Sequence, residues 1–476
     1  MTTDNKRTKI VCTIGPSSSS IPMLKNMIKA GMNIARINFS HGSYEANLEL
    51  IENVREAAKA VGKPVAILQD LQGPKIRVGK LPEGGIELIE GQQAMLQAGV
   101  LTAEEGVIPV PYDRLAADVK KGDRILIADG TREVEVLDVR GKKIRTKVLL
   151  GGKVSTYKGI NVPTASLSAD SMTEKDDADL VFGLKQNVDY VALSFVRSAD
   201  DVQKLRKKIK RHTPEGTAEP AIIIKIEKHE ALINFDDILD LTDGIMIARG
   251  DLGLETPVSK LPVRQKEIIR KCVAAAKPVI TATEMLGSME HNPRPTRAEV
   301  SDVANAVIDH TDAVMLSGES AMGRYPLRAV EMMSEIIRST EESPLDDLPH
   351  PEVEGEDTVP VALGAAAVDM AHRVNAQAII VTTESGYSAR AVSRFRPHVP
   401  VFAASENPRT VRQMALSWGV TPMLIEGYSQ PEKMIARVIE ELRSAKVLPA
   451  KSRVVVVSGL RREKENYDST IRVIDL

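Results

Sequence analysis

Only two cysteines, Cys12 and Cys272, stand among 476 residues. They are far apart, and nothing around either has zinc-ligand or redox-pair spacing. A disulfide framework and a zinc module are therefore excluded, and a reducing, cytoplasmic setting is expected. Charge of either sign is not in excess. The formal net charge is −2, so there is no bulk attraction to nucleic acid or to an anionic membrane, and neither is expected as a partner. No run approaches the ~18 apolar residues that a membrane span needs. The opening MTTDNKRTKIVCTIG holds basic residues but no apolar core of useful length, so no secretory leader is expected. No internal repeat or low-complexity tract stands out.

What is present is an ordinary globular composition, 43% apolar and 27% charged. The length exceeds one ordinary hydrophobic core, so two or three domains are expected. Along the chain, short apolar runs alternate with amphipathic stretches. KIVCTIG (9–15), NIARINF (33–39) and the run at 65–68 read as strands, and 21–30 and 44–60 as helices, the first stopped by Gly31. From about 73 to 168 the pattern changes. Short segments at 85–89, 124–128, 132–139 and 143–149 are separated by GG, GD, DG, RG and GG turns, the signature of a small β-barrel inserted in the alternation. Strand–helix alternation resumes at TEKD, with Thr173 as N-cap. It continues through strands at 189–195, 222–226, 244–248, 278–283 and 312–316. Setting the insert aside, about eight strands are each followed by a helix, which predicts a TIM (β/α)8 barrel. An acidic, Pro-containing linker at 341–357 precedes a third unit with strands at 378–382, 399–403, 420–425 and 453–457, an open parallel α/β sheet. The expected division is 1–72 with 169–345 for the barrel, 73–168 for the insert and 346–476 for the C-terminal unit.

The stretch 222–255, IIIKIEKHEALINFDDILDLTDGIMIARGDLGLE, carries the densest chemistry. Two apolar runs each end in charge: Lys225 and Glu227, then Arg249 and Asp251. Runs rich in Ile with little alternation suit parallel strands covered on both faces. Residues two apart lie on one side of a strand, so Lys225 and Glu227 share a side. On these residues alone, a structural ion pair is as good a reading as a site. The other strand ends decide between them. Arg36, Asn38 and Ser40 follow the second strand, Asp70 the third, Ser194 and Arg197 the fourth, Thr283 and Glu284 the seventh, and Ser317 and Glu319 the eighth. In a TIM barrel these ends meet at the face that carries the chemistry. Glu227 and Asp251 are hard oxygen ligands suited to Mg2+ (or Mn2+), which keeps open positions for phosphate. With Lys225, Arg36 and Arg77 nearby, the set suits phosphoryl transfer. If Gly250 and Asp251 open a short helix, their N–H groups favour a carboxylate or phosphate.

Taken together, TKIVCTIGP, ARINFSHG, GPKIR, KIE, MIARGDLG, TATEML, PTRAEVSDVANAV and MLSGES, in that order, resemble the pyruvate kinase family over nearly the full chain. The resemblance implies Mg2+-dependent transfer of the phosphoryl group of phosphoenolpyruvate to ADP, giving ATP and pyruvate. It implies that Glu227 and Asp251 hold the metal and that Lys225 neutralises the group in flight. Thr283 supplies a proton through water, and Arg36 bridges substrate and nucleotide phosphates. The N–H groups of Gly250 and Asp251 take the substrate carboxylate. Arg77 and Lys158 match nucleotide-side positions, with His41 and Asp129 as weaker candidates. The insert would close as a lid that excludes water. A cytoplasmic homotetramer is the family expectation.

Two departures stand out. Potassium-dependent members carry DTKGPEIR where this chain has DLQGPKIR, with Leu71, Gln72 and Lys75. Asn38, Ser40 and Asp70, which match the potassium ligands, remain. The expectation is that the Lys75 ammonium supplies the charge that K+ supplies elsewhere, a potassium-independent, bacterial-type variant. Glu284 stands where Gln is usual. In the C-terminal unit, TESGYS (Thr383, Glu384, Ser385, Gly386, Tyr387, Ser388) lies between strand and helix and suits a phosphate. The resemblance places an effector there. Arg461 and Arg462 could add charge, and a sugar monophosphate or AMP is favoured. An alternative is another Mg2+-dependent pyruvate-enolate barrel of aldolase or mutase type, which would not need the insert or Lys158.

Overall fold

The computed structural model describes residues 6–346, 359–427, 431–459 and 469–476. Eight parallel strands close into a barrel: β1 Lys9–Thr13, β2 Ile34–Asn38, β3 Ala66–Asp70, β4 Tyr190–Leu193, β5 Ala221–Ile226, β6 Gly244–Ala248, β7 Val279–Ala282 and β8 Ala313–Leu316. Each pairs with its sequence neighbours, and β1 pairs with β8 to close the ring. The eight expected strands are all present. Helix ends follow local chemistry. Thr173 and Asp176 form a capping box at Glu174–Lys185, and Thr296 and Glu299 form another at Arg297–Ile308. Gly31, at φ 127°, ends the helix Ile21–Ala30 in a backbone conformation that a side chain resists.

Two apolar layers hold the barrel. Inward side chains, among them Val11, Leu68, Ile223, Met246 and Ile280, fill the interior, and outward ones meet the helices. Leu416 of the C-terminal unit joins the interior cluster. Lys9 Nζ donates to Val420 O, and Tyr190 Oη to Gln413 O at 2.6 Å. All three contacts lie at the N-terminal ends of the strands. The C-terminal unit therefore docks on the base, leaving the opposite face for chemistry.

The insert leaves after β3 and returns at Glu174–Lys185. It has its own core, including Val78, Leu96, Ile125, Val134 and Ile144. The insert is the small all-β unit that the turn signals predict. The main sheet has six strands, ordered Ile160–Asn161, Arg124–Ile127, Arg132–Arg140, Lys143–Leu150, Gln93–Ala98 and Val107–Val110, and a two-stranded ribbon stands apart. The segment 76–80 joins the two edges of the main sheet: the Ile160 N–H donates to Ile76 O at 2.9 Å, and the Gly79 N–H donates to Pro109 O at 2.7 Å. One edge is only two residues long, and Pro109 on the other has no N–H to give.

The C-terminal sheet comprises β9 Ala378–Thr382, β10 Val401–Ser405, β11 Val420–Leu424, β12 Arg453–Ser458 and β13 Thr470–Asp475, in the order β11-β10-β9-β12-β13. The first four are parallel, as expected. β13 adds an antiparallel edge that the sequence reading missed. No helix among the described residues is long and apolar enough to cross a membrane.

Candidate active site

At the C-terminal face of the barrel, charged side chains from successive strands form a row of alternating sign. Arg36, from β2, places Nε 2.7 Å from Asp70 Oδ2 at the end of β3. Its Nη1 donates to Thr13 Oγ at the end of β1, at 2.9 Å. Asp70 Oδ1 lies 3.4 Å from Lys225 Nζ, on β5. Lys225 Nζ stands 2.9 Å from Glu227 Oε1 and donates to Ser194 Oγ at 2.8 Å. Glu227 Oε2 accepts from the Phe195 N–H at 2.8 Å. Lys225 and Glu227 thus share a side, as the two-residue spacing requires.

Burial decides how these groups titrate. Burial by itself would lower the Lys225 ammonium, but Asp70 and Glu227 outweigh it and hold Lys225 above its usual range. Burial pushes the Asp70 carboxyl up, yet Lys225 and Arg36 together bring it below the ordinary 3.8. Glu227 goes the other way. Burial raises its carboxyl, Lys225 opposes, and the nearby Asp251 charge adds to the rise, leaving it above the ordinary 4.5. The row therefore runs Arg36, Asp70, Lys225, Glu227, Asp251, Lys75, the last pair separated by 3.8 Å. Alternation fails at one step, where Glu227 and Asp251 are neighbours of like sign. Two hard carboxylates in that relation fit a divalent cation. A second group of potential ligands, His229, Glu230 and Glu255, also converges. There Lys228 Nζ already sits 2.5 Å from Glu255 Oε1, so that cluster is a structural ion network.

Thr283 follows β7 in the left-handed region, φ 66°, and Glu284 follows at φ 54°. Two successive side-chain-bearing residues there, one β-branched, are strained, and such strain collects at functional sites. Arg249 holds the turn. Its Nη2 donates to Thr283 O at 2.7 Å, and Asp302 pairs with the same nitrogen at 2.7 Å. The Gly250 N–H donates to Thr283 Oγ at 2.8 Å, and Thr283 Oγ donates to Ala282 O at 2.7 Å. Of the two N–H groups expected to receive a carboxylate, that of Gly250 is thus already engaged.

On the insert side, Arg77 pairs with Gly159 in an isolated bridge and donates to Tyr157 O, which sets Arg77 beside Lys158 at the insert's root. Asp129 (φ 55°) lies near Gly159, while His41 is exposed on the loop after β2. Asn38 Oδ1 accepts from the Ser40 N–H, and Leu71 is buried. Gly73, at φ 68°, begins the insert. A Cβ there would lie 2.7 Å from the Phe195 ring and 3.2 Å from Ser194 Cβ. In the C-terminal unit, Thr383 Oγ accepts from the Gly386 N–H, Gly386 is left-handed, and Ser388 is buried. Arg461 and Arg462 lie outside the described residues.

The family model described as pyruvate kinase, barrel domain, matches residues 5–330, and that described as pyruvate kinase, alpha/beta domain, matches 362–474. The chain belongs to the pyruvate kinase family. It is 42% identical to the pyruvate kinase of Bacillus licheniformis over 462 residues, 95% of this chain and 78% of the relative. It is also 42% identical to that of Geobacillus stearothermophilus over 459 residues, 96% and 78% of the two chains. A crystal structure of a pyruvate kinase from Cryptosporidium parvum superposes with a TM-score of 0.92 at 37% identity, covering 99% of this chain and 96% of the other. Within this member of the pyruvate kinase family, three contacts escaped the sequence reading. They are Ser194 Oγ on Lys225, the Phe195 N–H on Glu227, and Asp70 as a counter-charge to Lys225. The first two come from the end of β4, where a Ser gave only a generic polar signal. The third joins strands remote in sequence.

Proposed function

We propose that the chain transfers the phosphoryl group of phosphoenolpyruvate to ADP through the row of charges at the barrel mouth. The observation that carries the reading is the single break in alternation, at Glu227 and Asp251. These two would hold the divalent ion, Mg2+ or Mn2+, which supplies charge neutralisation at phosphoryl oxygens. Lys225 Nζ, kept protonated by Asp70 and Glu227, faces the transferring group and the enolate oxygen left when the bridging P–O bond breaks. A terminal oxygen of ADP forms the new P–O bond, and the electron pair of the old one stays on the enolate. Thr283 Oγ, held at the strained end of β7, relays a proton through water to the enolate carbon. The substrate carboxylate takes the N–H groups of Gly250 and Asp251, displacing or sharing the bond to Thr283. Arg36 spans substrate and nucleotide phosphates, and Arg77 and Lys158, with His41 and Asp129 at the edge, receive the nucleotide.

The working units are 1–72 with 169–345, 73–168 as a lid, and 346–476 as a regulatory unit. Residues 383–388 take a phosphorylated effector, a sugar monophosphate or AMP. Lys75 replaces a monovalent cation at the pocket of Asn38, Ser40, Asp70 and Leu71. Its 3.8 Å approach to Asp251 supports this, since a fixed positive charge already stands beside the metal carboxylates. Apolar side chains exposed on the barrel, such as Ile233 and Val258, support assembly into a homotetramer. Two buried free thiols, Cys12 and Cys272, support a cytoplasmic setting. The test is a coupled assay for pyruvate with phosphoenolpyruvate, ADP and Mg2+. Lys225→Met should lower turnover by ~10²-fold or more while far-ultraviolet circular dichroism stays unchanged. Undiminished turnover removes Lys225 from this role, and pyruvate formation without ADP would favour the aldolase or mutase alternative.

A further inference from the structure

Three parts of the molecule meet at the end of the helix Arg249–Glu255. Asp251 lies in its first turn, and Glu255 closes it. The Glu255 side chain is fully buried, so each of its oxygens needs a partner. Oε1 takes Lys228 Nζ at 2.5 Å and Asn161 Nδ2 at 3.4 Å, and Oε2 lies 3.3 Å from His229 Nδ1. Lys228 and His229 directly follow Glu227 in the chain. Asn161 comes from the insert, on the short edge strand Ile160–Asn161, and is itself buried.

These contacts close a small ring. From Glu227 the chain steps to Lys228, crosses the ion pair to Glu255, and returns along one turn of helix to Asp251. Glu227 and Asp251 carry like charge and repel until a cation stands between them. Glu227 is gripped from its own side by Lys225 and the Phe195 N–H. Asp251 has a looser tether in Lys75, 3.8 Å away and partly exposed. The far end of its helix, fixed at Glu255, therefore bears on where Asp251 stands. Packing is incomplete here. A cavity of about 30 Å³ is lined by Ile76 and Asn161 of the insert and by Phe195, Arg197 and Lys228 of the barrel. Where close packing lapses, position rests more on polar contacts such as that of Asn161 with Glu255.

We propose that Asn161 is a positioning residue: through Glu255, the seating of the insert sets the spacing of the two metal carboxylates. The proposal rests on the reading of Glu227 and Asp251 as ligands of the divalent ion. A seated insert braces Glu255 from a third side, and the ion then meets its two ligands at a fixed separation. By linkage the converse holds, and an ion bound there firms the contact of the insert.

The test uses the whole chain and Mn2+, with the free ion read by electron paramagnetic resonance. Asn161→Ala should raise the Mn2+ dissociation constant ~3-fold or more, less than the loss of a ligand, because Asn161 stands further from the ion. Glu255→Gln should raise it too, and the double variant should fall short of the product of the two effects, since both act on one path. Ile144→Val, in the core of the insert on another strand, should leave Mn2+ binding at the parent value. In the unaltered protein, Mn2+ should slow hydrogen exchange across 157–161. An unchanged constant in Asn161→Ala, multiplicative losses in the double variant, an equal loss in Ile144→Val, or exchange indifferent to Mn2+ each overturns the inference. Glu227→Gln separates the two levels. If it leaves Mn2+ binding unchanged, the metal reading falls and this inference with it. If it weakens binding while Asn161→Ala does not, this inference alone falls. Should Asn161→Ala fail to fold, the exchange measurement on the unaltered protein decides.

Discussion

On the proposal that the Lys75 ammonium stands in for K+, replacing Lys75 with Met should make turnover depend on potassium. Lys75 Nζ stands 3.8 Å from Asp251 Oδ1, with side chains 30% and 28% exposed. Two unit charges at that distance attract by ~4 kcal/mol at an effective dielectric of ~20 and by ~1 kcal/mol in bulk water. Exposure of both partners puts the working value near the lower end, ~1–2 kcal/mol. If that charge is felt by the phosphoryl group in the transition state, its loss slows turnover ~5–30-fold. The assay follows pyruvate in tetramethylammonium buffer with saturating Mg2+, with and without added KCl. The expected pattern is a parent rate that KCl leaves unchanged, a Met variant slowed by that factor, and recovery of most of the loss on adding K+. Lys75→Arg, which keeps the charge, should lie between parent and Met variant. A Met variant as fast as the parent without potassium refutes the reasoning, and so does a parent that potassium activates strongly.

Other substitutions test the remaining geometry. Glu227→Gln should weaken Mn2+ binding ~10-fold or more, read by electron paramagnetic resonance of the free ion. The same variant carries a pH signature. The Glu227 carboxyl is raised in the fold, so in EDTA its penalty is absent below 4.5 and grows as pH rises from 4.5 through the folded value. The parent's urea midpoint should lose stability over that interval relative to Glu227→Gln; a constant difference between the two curves contradicts the shift. Glu255→Gln leaves the buried Lys228 ammonium without its carboxylate and should cost ~3–5 kcal/mol, measured by urea unfolding. It should also loosen Mn2+, because Lys228 follows Glu227 and Glu255 ends the helix that carries Asp251. Arg396→Met breaks a pair whose side chains are 4% and 8% exposed. It should lower the unfolding midpoint and redden the emission of Trp418, over whose ring Arg396 lies at 5.1 Å. Unchanged emission would mean that Arg396 does not hold the joint.

Much of the architecture was legible because parallel strands covered on both faces write themselves as uninterrupted apolar runs. Ile222–Ile226 and Gly244–Ala248 are of that kind. Elements that failed to announce themselves lacked this signal. QAMLQA of Gln93–Ala98 alternates weakly, Val107–Val110 contains a proline, and β13 is an exposed edge with little to bury. At the site, Lys225 and Glu227 were visible together because period two links them within one strand. The Asp70 and Ser194 contacts were not, since they depend on how three strand ends meet in space. The left-handed turn at Thr283 and Glu284 was also hidden. Neither residue type favours it, and it is imposed by Arg249 from the neighbouring strand.

The seat of Gly73 bears on motion. The first residue of the insert rests against Phe195 and Ser194, whose N–H and hydroxyl grip Glu227 and Lys225. On the proposal that the insert is a lid, a swing about this pivot would press on the two fingers that hold the charges in register. Shutting the cleft and tuning its interior would then be geared together, and even a methyl group at residue 73 would jam both.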